Sequence, residues 1–246
     1  MKMQFTNLAK WLLTVPLVSL CSRGHAQDLS EIKQTFDKGY VFFGITGGAS
    51  LRDSENENVL VVTLKEQQKE GYNFLVTGGY FVKPLLAIGG GMRYDQSRIT
   101  KVTEDADGVE ANVNEAGTAI TSSLYVKFFI PLTANKRFNL YNIAGVGWTA
   151  DRSLVESFSQ DVLTRTYNNK NTIQLGLNPG IQVFVVDGFA TEIGVNVAGL
   201  SGSRKKQSVN GVANSAINTF DVDLKLNILS LSISFYYYFP IKKAEK

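Results

Sequence analysis

Thiol and imidazole are almost missing from this chain. Cys21 is its one cysteine and His25 its one histidine, and both lie ahead of a predicted signal-peptidase cut after Ala26. Lys2 and Lys10 make a basic start, Trp11 to Leu20 a short apolar core, and Gly24-His25-Ala26 supplies small residues where the peptidase reads. That core is too short to cross a membrane as a helix. Leu20 precedes Cys21 where lipidation expects a small residue, so cleavage after Ala26 is the expected processing. The mature chain would then hold neither residue type. Disulfides, thiolate catalysis, histidine-dependent triads and histidine-ligated metals are excluded on that reading.

An excess of charge is missing as well. The precursor has 25 Lys and Arg against 22 Asp and Glu. Removing Lys2, Lys10 and Arg23 leaves 22 − 22 = 0, and no global basic signal for nucleic acid. Long apolar runs are absent too. After Ala26 no window of 18 apolar residues remains, which excludes transmembrane helices. Phosphate and calcium motifs are incomplete. Gly89-Gly90-Gly91 is followed by no helix start or Lys-Ser/Thr, and Asp105-Ala106-Asp107-Gly108 lacks the remaining EF-hand spacing. No cofactor or metal is expected.

What the chain does have is alternation. In Leu229–Phe239, Leu229, Leu231, Ile233, Phe235, Tyr237 and Phe239 share one strand face, with Ser230, Ser232, Ser234, Tyr236 and Tyr238 on the other. A transmembrane β-strand needs about 9–11 residues, apolar toward lipid and polar toward a lumen, with aromatics at the interface. Seven further segments repeat the pattern, at about 39–51, 72–82, 85–94, 118–130, 138–149, 173–185 and 189–199. The facing of 138–149 stays ambiguous because it is rich in Gly and Ala. The eighth strand begins near Ile217 and slips phase around Ile228-Leu229, as a β-bulge does. Pro179 falls inside the sixth strand, where a closed barrel has no edge for it, so a local bulge is expected there. Val59–Leu64 is strand-like within the first long connection, which extends that hairpin or makes a ten-stranded barrel.

Connections alternate in length. Lys83-Pro84, Pro131–Arg137 and Asp187-Gly188 are short. Arg52–Gly71, Asp95–Gly117, Asp151–Lys170 and Ser201 to about Val212 are long and polar. Tight turns on one side and large loops on the other mark an outer-membrane barrel. The expected fold is all-β: an eight-stranded antiparallel up-and-down transmembrane barrel, with short periplasmic turns and long extracellular loops. Residues 1–26 would be signal, 27–38 a polar periplasmic lead-in, 39–239 the barrel and 240–246 a tail.

The segment Gly78-Gly79-Tyr80-Phe81-Val82-Lys83-Pro84-Leu85-Leu86-Ala87-Ile88-Gly89 resembles a strand–turn–strand pattern of the small outer-membrane β-barrel domain family, which shares its shape with the OmpA transmembrane domain and the OmpX/Ail barrels. A looser copy runs from Gly180 to Gly194, around Phe184-Val185 and Ala190. Tyr237-x-Phe239 is similar to the aromatic C-terminal signal read by the barrel-assembly machinery, although Pro240–Lys246 follow it here. The resemblance implies an outer-membrane location, outer-membrane lipid and the assembly machinery as partners, and no particular activity.

Two clusters stand out. Arg93, Lys127 and Glu192 fall on predicted lumen faces, where they can pair across a narrow lumen, a gating or proton-path role being the alternative. Arg204-Lys205-Lys206 makes a basic loop tip that can touch anionic lipopolysaccharide or another polyanion. No catalytic residue is assigned. The leading expectation is a non-enzymatic outer-membrane barrel that anchors or interacts through its loops. The alternatives are a soluble periplasmic lipocalin-like binder, a small-conductance pore and a lipid-modifying barrel enzyme. Enzymes of the last kind rely on a histidine that the mature chain lacks.

Overall fold

In the computed structural model, residues 36–59, 62–104, 110–160, 162–195, 198–224 and 232–241 are described. Ten strands cover most of them: β1 (Tyr40–Val59), β2 (Val62–Lys83), β3 (Leu86–Glu104), β4 (Glu110–Pro131), β5 (Phe138–Ser159), β6 (Val162–Val186), β7 (Phe189–Gly194), β8 (Ala198–Val209), β9 (Val212–Leu224) and β10 (Ser232–Pro240). Every pairing is antiparallel, and β1-β2-β3-β4-β5-β6-β7-β10 close on one another as a ring. The fold is an eight-stranded antiparallel barrel. Closure suits the sequence because, at the end that carries the short turns, each strand buries one alternate set of side chains and is paired on both sides.

The count of ten reduces to eight positions around the wall. β6 pairs with β7 over Gly180–Val186 and with β8 over Thr166–Leu177, so β7 and β8 follow one another along one flank of β6. Pro179 lies at the changeover. Its carbonyl accepts the N–H of Val195 at 3.0 Å, and it has no N–H to return. Gly180 faces Gly194 while Leu177 faces Ala198, so the partner flank gains one residue there. The bulge expected inside the sixth strand is not there: the pairing of β6 to β5 runs unbroken through Asn142↔Pro179, and the extra residue falls on the partner flank, where the missing donor would break the ladder. The phase slip expected near Ile228-Leu229 lies outside the described residues.

The long polar connections are built as continued ladders. β1 and β2 stay paired to Val59↔Val62, β3 and β4 to Glu104↔Glu110, and β5 and β6 to Ser159↔Val162. In β8–β9 the ladder runs to Val209↔Val212, across Asn210 and Gly211 with φ of 47° and 83°. Two positive φ values make this a primed hairpin turn, the form that matches strand twist. At the opposite end Pro84 presets one turn, and Leu85 takes φ 62° in it. Gly188 has φ 71°, and a Cβ on it would sit 2.7 Å from the Tyr238 carbonyl oxygen, so glycine is required there.

Side chains divide cleanly between the two faces. Phe43, Ile45, Phe74, Ile88, Met92, Leu124, Ile130, Val146, Ile173, Leu175, Ile193 and Phe235 point outward and are exposed. Phe42, Phe81, Ala87, Phe129, Phe184, Ala190, Tyr236 and Tyr238 fill the interior. β5, ambiguous in sequence, turns Asn139 and Tyr141 inward and Phe138, Leu140, Val146 and Trp148 outward.

Candidate functional site

The lumen is filled at the end that carries the short turns. Its lowest layer is aromatic and includes a residue from outside the strands: Phe36 is fully buried, with ring centroids 4.7 Å from Phe129, 5.5 Å from Phe184 and 5.7 Å from Phe81. The Phe36 carbonyl accepts the N–H of Leu85 at 3.0 Å, tying the lead-in to the β2–β3 turn. The sequence offers only a polar lead-in here. A single aromatic among Gln, Thr, Asp and Lys has no period to reveal it.

Above that layer lies a closed polar network. Lys127 Nζ donates to both carboxylate oxygens of Glu192, at 2.5 and 2.6 Å. Gln182 Nε2 donates to Glu192 Oε1 at 2.7 Å and to the Tyr238 hydroxyl at 2.5 Å, and Tyr238 donates to the same carboxylate at 3.2 Å. Four rings surround the ammonium: Tyr236 at 4.2 Å, Tyr141 at 4.5 Å, Phe129 at 5.1 Å and Phe42 at 5.6 Å. A buried ammonium stripped of water is tolerable only with such a counter-charge and ring faces.

Arg93 does not belong to this group. It lies six residues along β3 from Ala87, the residue that pairs with Lys127, or about 20 Å at strand rise. There its guanidinium forks onto Asp95, with Nε 2.8 and 3.0 Å from the two carboxylate oxygens, and both side chains stay partly exposed. The sequence-derived trio is therefore a buried pair plus a separate, partly exposed pair higher on the same face. Gln182 and Tyr238 are the partners it lacked. Both occupy lumen-facing positions of the alternation, which is the signal that could have drawn them in.

The basic trio is not a loop tip. Arg204, Lys205 and Lys206 lie within β8, and the hairpin turns later, at Asn210-Gly211. Alternation splits them: Arg204 and Lys206 point outward and are exposed, whereas Lys205 shares the inner face with the buried Ser203. The Asp105–Gly108 segment lies outside the described residues. Among the described residues, no group of three His, Cys, Asp or Glu side chains could hold a metal ion.

Chemically, the network is one buried ion pair with its hydrogen-bond partners. Glu192 has no free approach for a substrate, and the aromatic layer blocks the lumen beneath it. No family model matches the chain, and no curated protein matches it. Among solved structures it is similar to the attachment invasion locus protein Ail of Yersinia pestis, at 14% identity and a TM-score of 0.37, over 82% of this chain and 99% of that one. It is also similar to Neisserial surface protein A, at 13% identity and a TM-score of 0.31, over 81% and 97%.

Proposed function

We propose that the chain is a non-enzymatic integral outer-membrane protein whose barrel anchors an extracellular β-wall for surface interaction. The observation that carries this is the outer belt. Outward faces are mostly apolar over residues 120–130 of β4 and 138–148 of β5, interrupted by Ser122 and Asn142, with Phe128, Phe138 and Tyr237 toward one rim and Tyr94 and Trp148 toward the other. Eleven residues at strand rise and a tilt of about 40° make a band about 25 Å tall, which matches a bilayer's hydrocarbon. A water-soluble protein rarely exposes so large an apolar surface.

Beyond the belt the hairpins continue about as far again. β3 runs ten residues past Tyr94, and β5 eleven past Trp148. Their outward residues there include Gln96, Arg98, Thr100, Arg152 and Glu156. A wall of that size offers a partner-facing surface on a rigid base. The filled lumen favours this over conduction. Membrane fractionation with a heat-modifiability gel tests the reading: recovery in the outer membrane with a boiling-dependent band shift is expected. Recovery as a soluble periplasmic species would replace it with a lipocalin-like binder. Surface labelling of a cysteine introduced at Gln160, in intact cells, tests which side the hairpins face.

A further inference from the structure

The register assembles an outward basic row at the upper edge of the apolar belt. Arg152 on β5 stands opposite Asn169 on β6, and Asn169 opposite Lys206 on β8. Two residues toward the belt, Asn171 faces Arg204. All five side chains point outward and are exposed. Strand spacing puts Arg152 and Lys206 about 10 Å apart, and strand rise puts Arg204 and Lys206 about 7 Å apart. Long flexible side chains close such gaps onto one small anion.

Among the described residues, nearby acids do not neutralise this row. Asp151 is on the inner face, opposite Lys170, and Asp221 pairs with Ser201 on that same face. Glu156 is outward but engaged with Arg165 at 2.9 Å. Thr118, Asn169, Asn171 and Asn218 flank the cations instead and supply hydrogen-bond donors. Immediately below come Trp148 and Ile173, paired with each other and both more than half exposed. Polar donors and three cations therefore sit directly over an apolar wall.

We infer that Arg152, Arg204 and Lys206 hold the phosphate headgroup of an outer-leaflet lipid whose acyl chains run down past Trp148. The inference rests on the membrane placement proposed above. A soluble anion would gain nothing from the apolar wall beneath, whereas a lipid fills both halves of the site. Guanidinium and ammonium groups close to a membrane surface attract anionic headgroups, and arginine forks onto phosphate oxygens.

The test uses the fluorescence of Trp148 in the refolded barrel, with the other tryptophan, Trp11 of the predicted signal, changed to phenylalanine wherever that segment is retained. Vesicles of phosphatidylcholine carry a tenth of their lipid with brominated acyl chains, as either phosphatidylcholine or phosphatidic acid. Brominated phosphatidylcholine should quench Trp148, and brominated phosphatidic acid should quench at least twofold more. The excess should vanish in Arg152→Gln/Arg204→Gln/Lys206→Gln and persist in Lys205→Gln, whose side chain is on the inner face. A heat-modifiable band in each variant establishes that it folds. Absence of quenching by brominated phosphatidylcholine would overturn the membrane reading itself. Equal quenching by the two lipids, or an excess that survives the triple substitution, would overturn the headgroup site alone.

Discussion

Lys127 on β4 and Glu192 on β7 meet at 2.5 Å across the barrel, although their strands share no ladder. The pair ties opposite walls together where backbone hydrogen bonds cannot reach. Glu192→Gln leaves a buried ammonium without its counter-charge, so a loss of about 3–5 kcal/mol is expected. Lys127→Met/Glu192→Leu removes both charges and should recover most of that loss. Urea unfolding of the vesicle-inserted barrel measures each. A double variant as weak as the single one would mean that the pair contributes attraction beyond mutual neutralisation.

A second expectation concerns close packing inside the wall. A Cβ added at Gly180 would lie 2.3 Å from the Tyr141 ring and 2.4 Å from the carbonyl oxygen of Ile193. The ring could turn, but the backbone oxygen cannot leave its strand. Gly180→Ala should cost about 1–3 kcal/mol by overpacking. At Gly47 nothing stands within 4 Å of such an atom, so Gly47→Ala should be neutral or slightly stabilising. The same unfolding assay compares the two, and equal effects would contradict the packing argument.

Phe36 closes the lumen from outside the ring of strands. Truncating it removes a fully buried aromatic side chain from among Phe81, Phe129, Phe184 and Tyr238. Phe36→Ala should cost about 3–5 kcal/mol, and Phe36→Leu less, since it refills part of the space. Amide exchange at Gly39 and Leu85 should also accelerate. Their N–H groups bond the Phe81 and Phe36 carbonyls at 3.1 and 3.0 Å, which anchors the lead-in. Unchanged exchange in Phe36→Ala would show that the anchoring does not depend on the ring.

The belt was legible in the sequence because its two faces differ chemically. Ser234, Tyr236 and Tyr238 are buried and Ile233, Phe235, Tyr237 and Phe239 exposed, the assignment that alternation alone provides. Pro179 announced a break in the ladder for the same kind of reason, a missing donor, although the extra residue falls on the partner flank and not in β6. Above the belt the signal fades. In residues 110–118 both faces are polar or small, so no hydrophobic period separates a strand from a loop. Asn210-Gly211, inside a polar connection in the sequence, is a local mark of a hairpin there and outweighs the polar composition around it. The lumen pair was half legible. Alternation put Arg93, Lys127 and Glu192 on one face, but not at one height, and height depends on the shear between strands. Phe36 carried no mark at all, because its partners come from four distant strands.

The sharpest expectation separates lipid from water at the outer belt. Leu124 lies mid-belt on β4, between Gly90 and Val146, and is 68% exposed. In water an arginine there costs almost nothing, since surface substitutions seldom exceed half a kcal/mol. In hydrocarbon it costs about 2–4 kcal/mol at the midplane and about 0–1 near the interface. Leu124→Arg should therefore lose about 2–4 kcal/mol in vesicles. Thr118→Arg, six residues along the same face and about 20 Å up the strand, should lose at most about 1. The ratio matters more than either value, because both variants keep the lumen and every ladder bond intact. If the two substitutions proved equally mild, the apolar belt would have to face something other than a bilayer, and a covering protein surface would become the object to find.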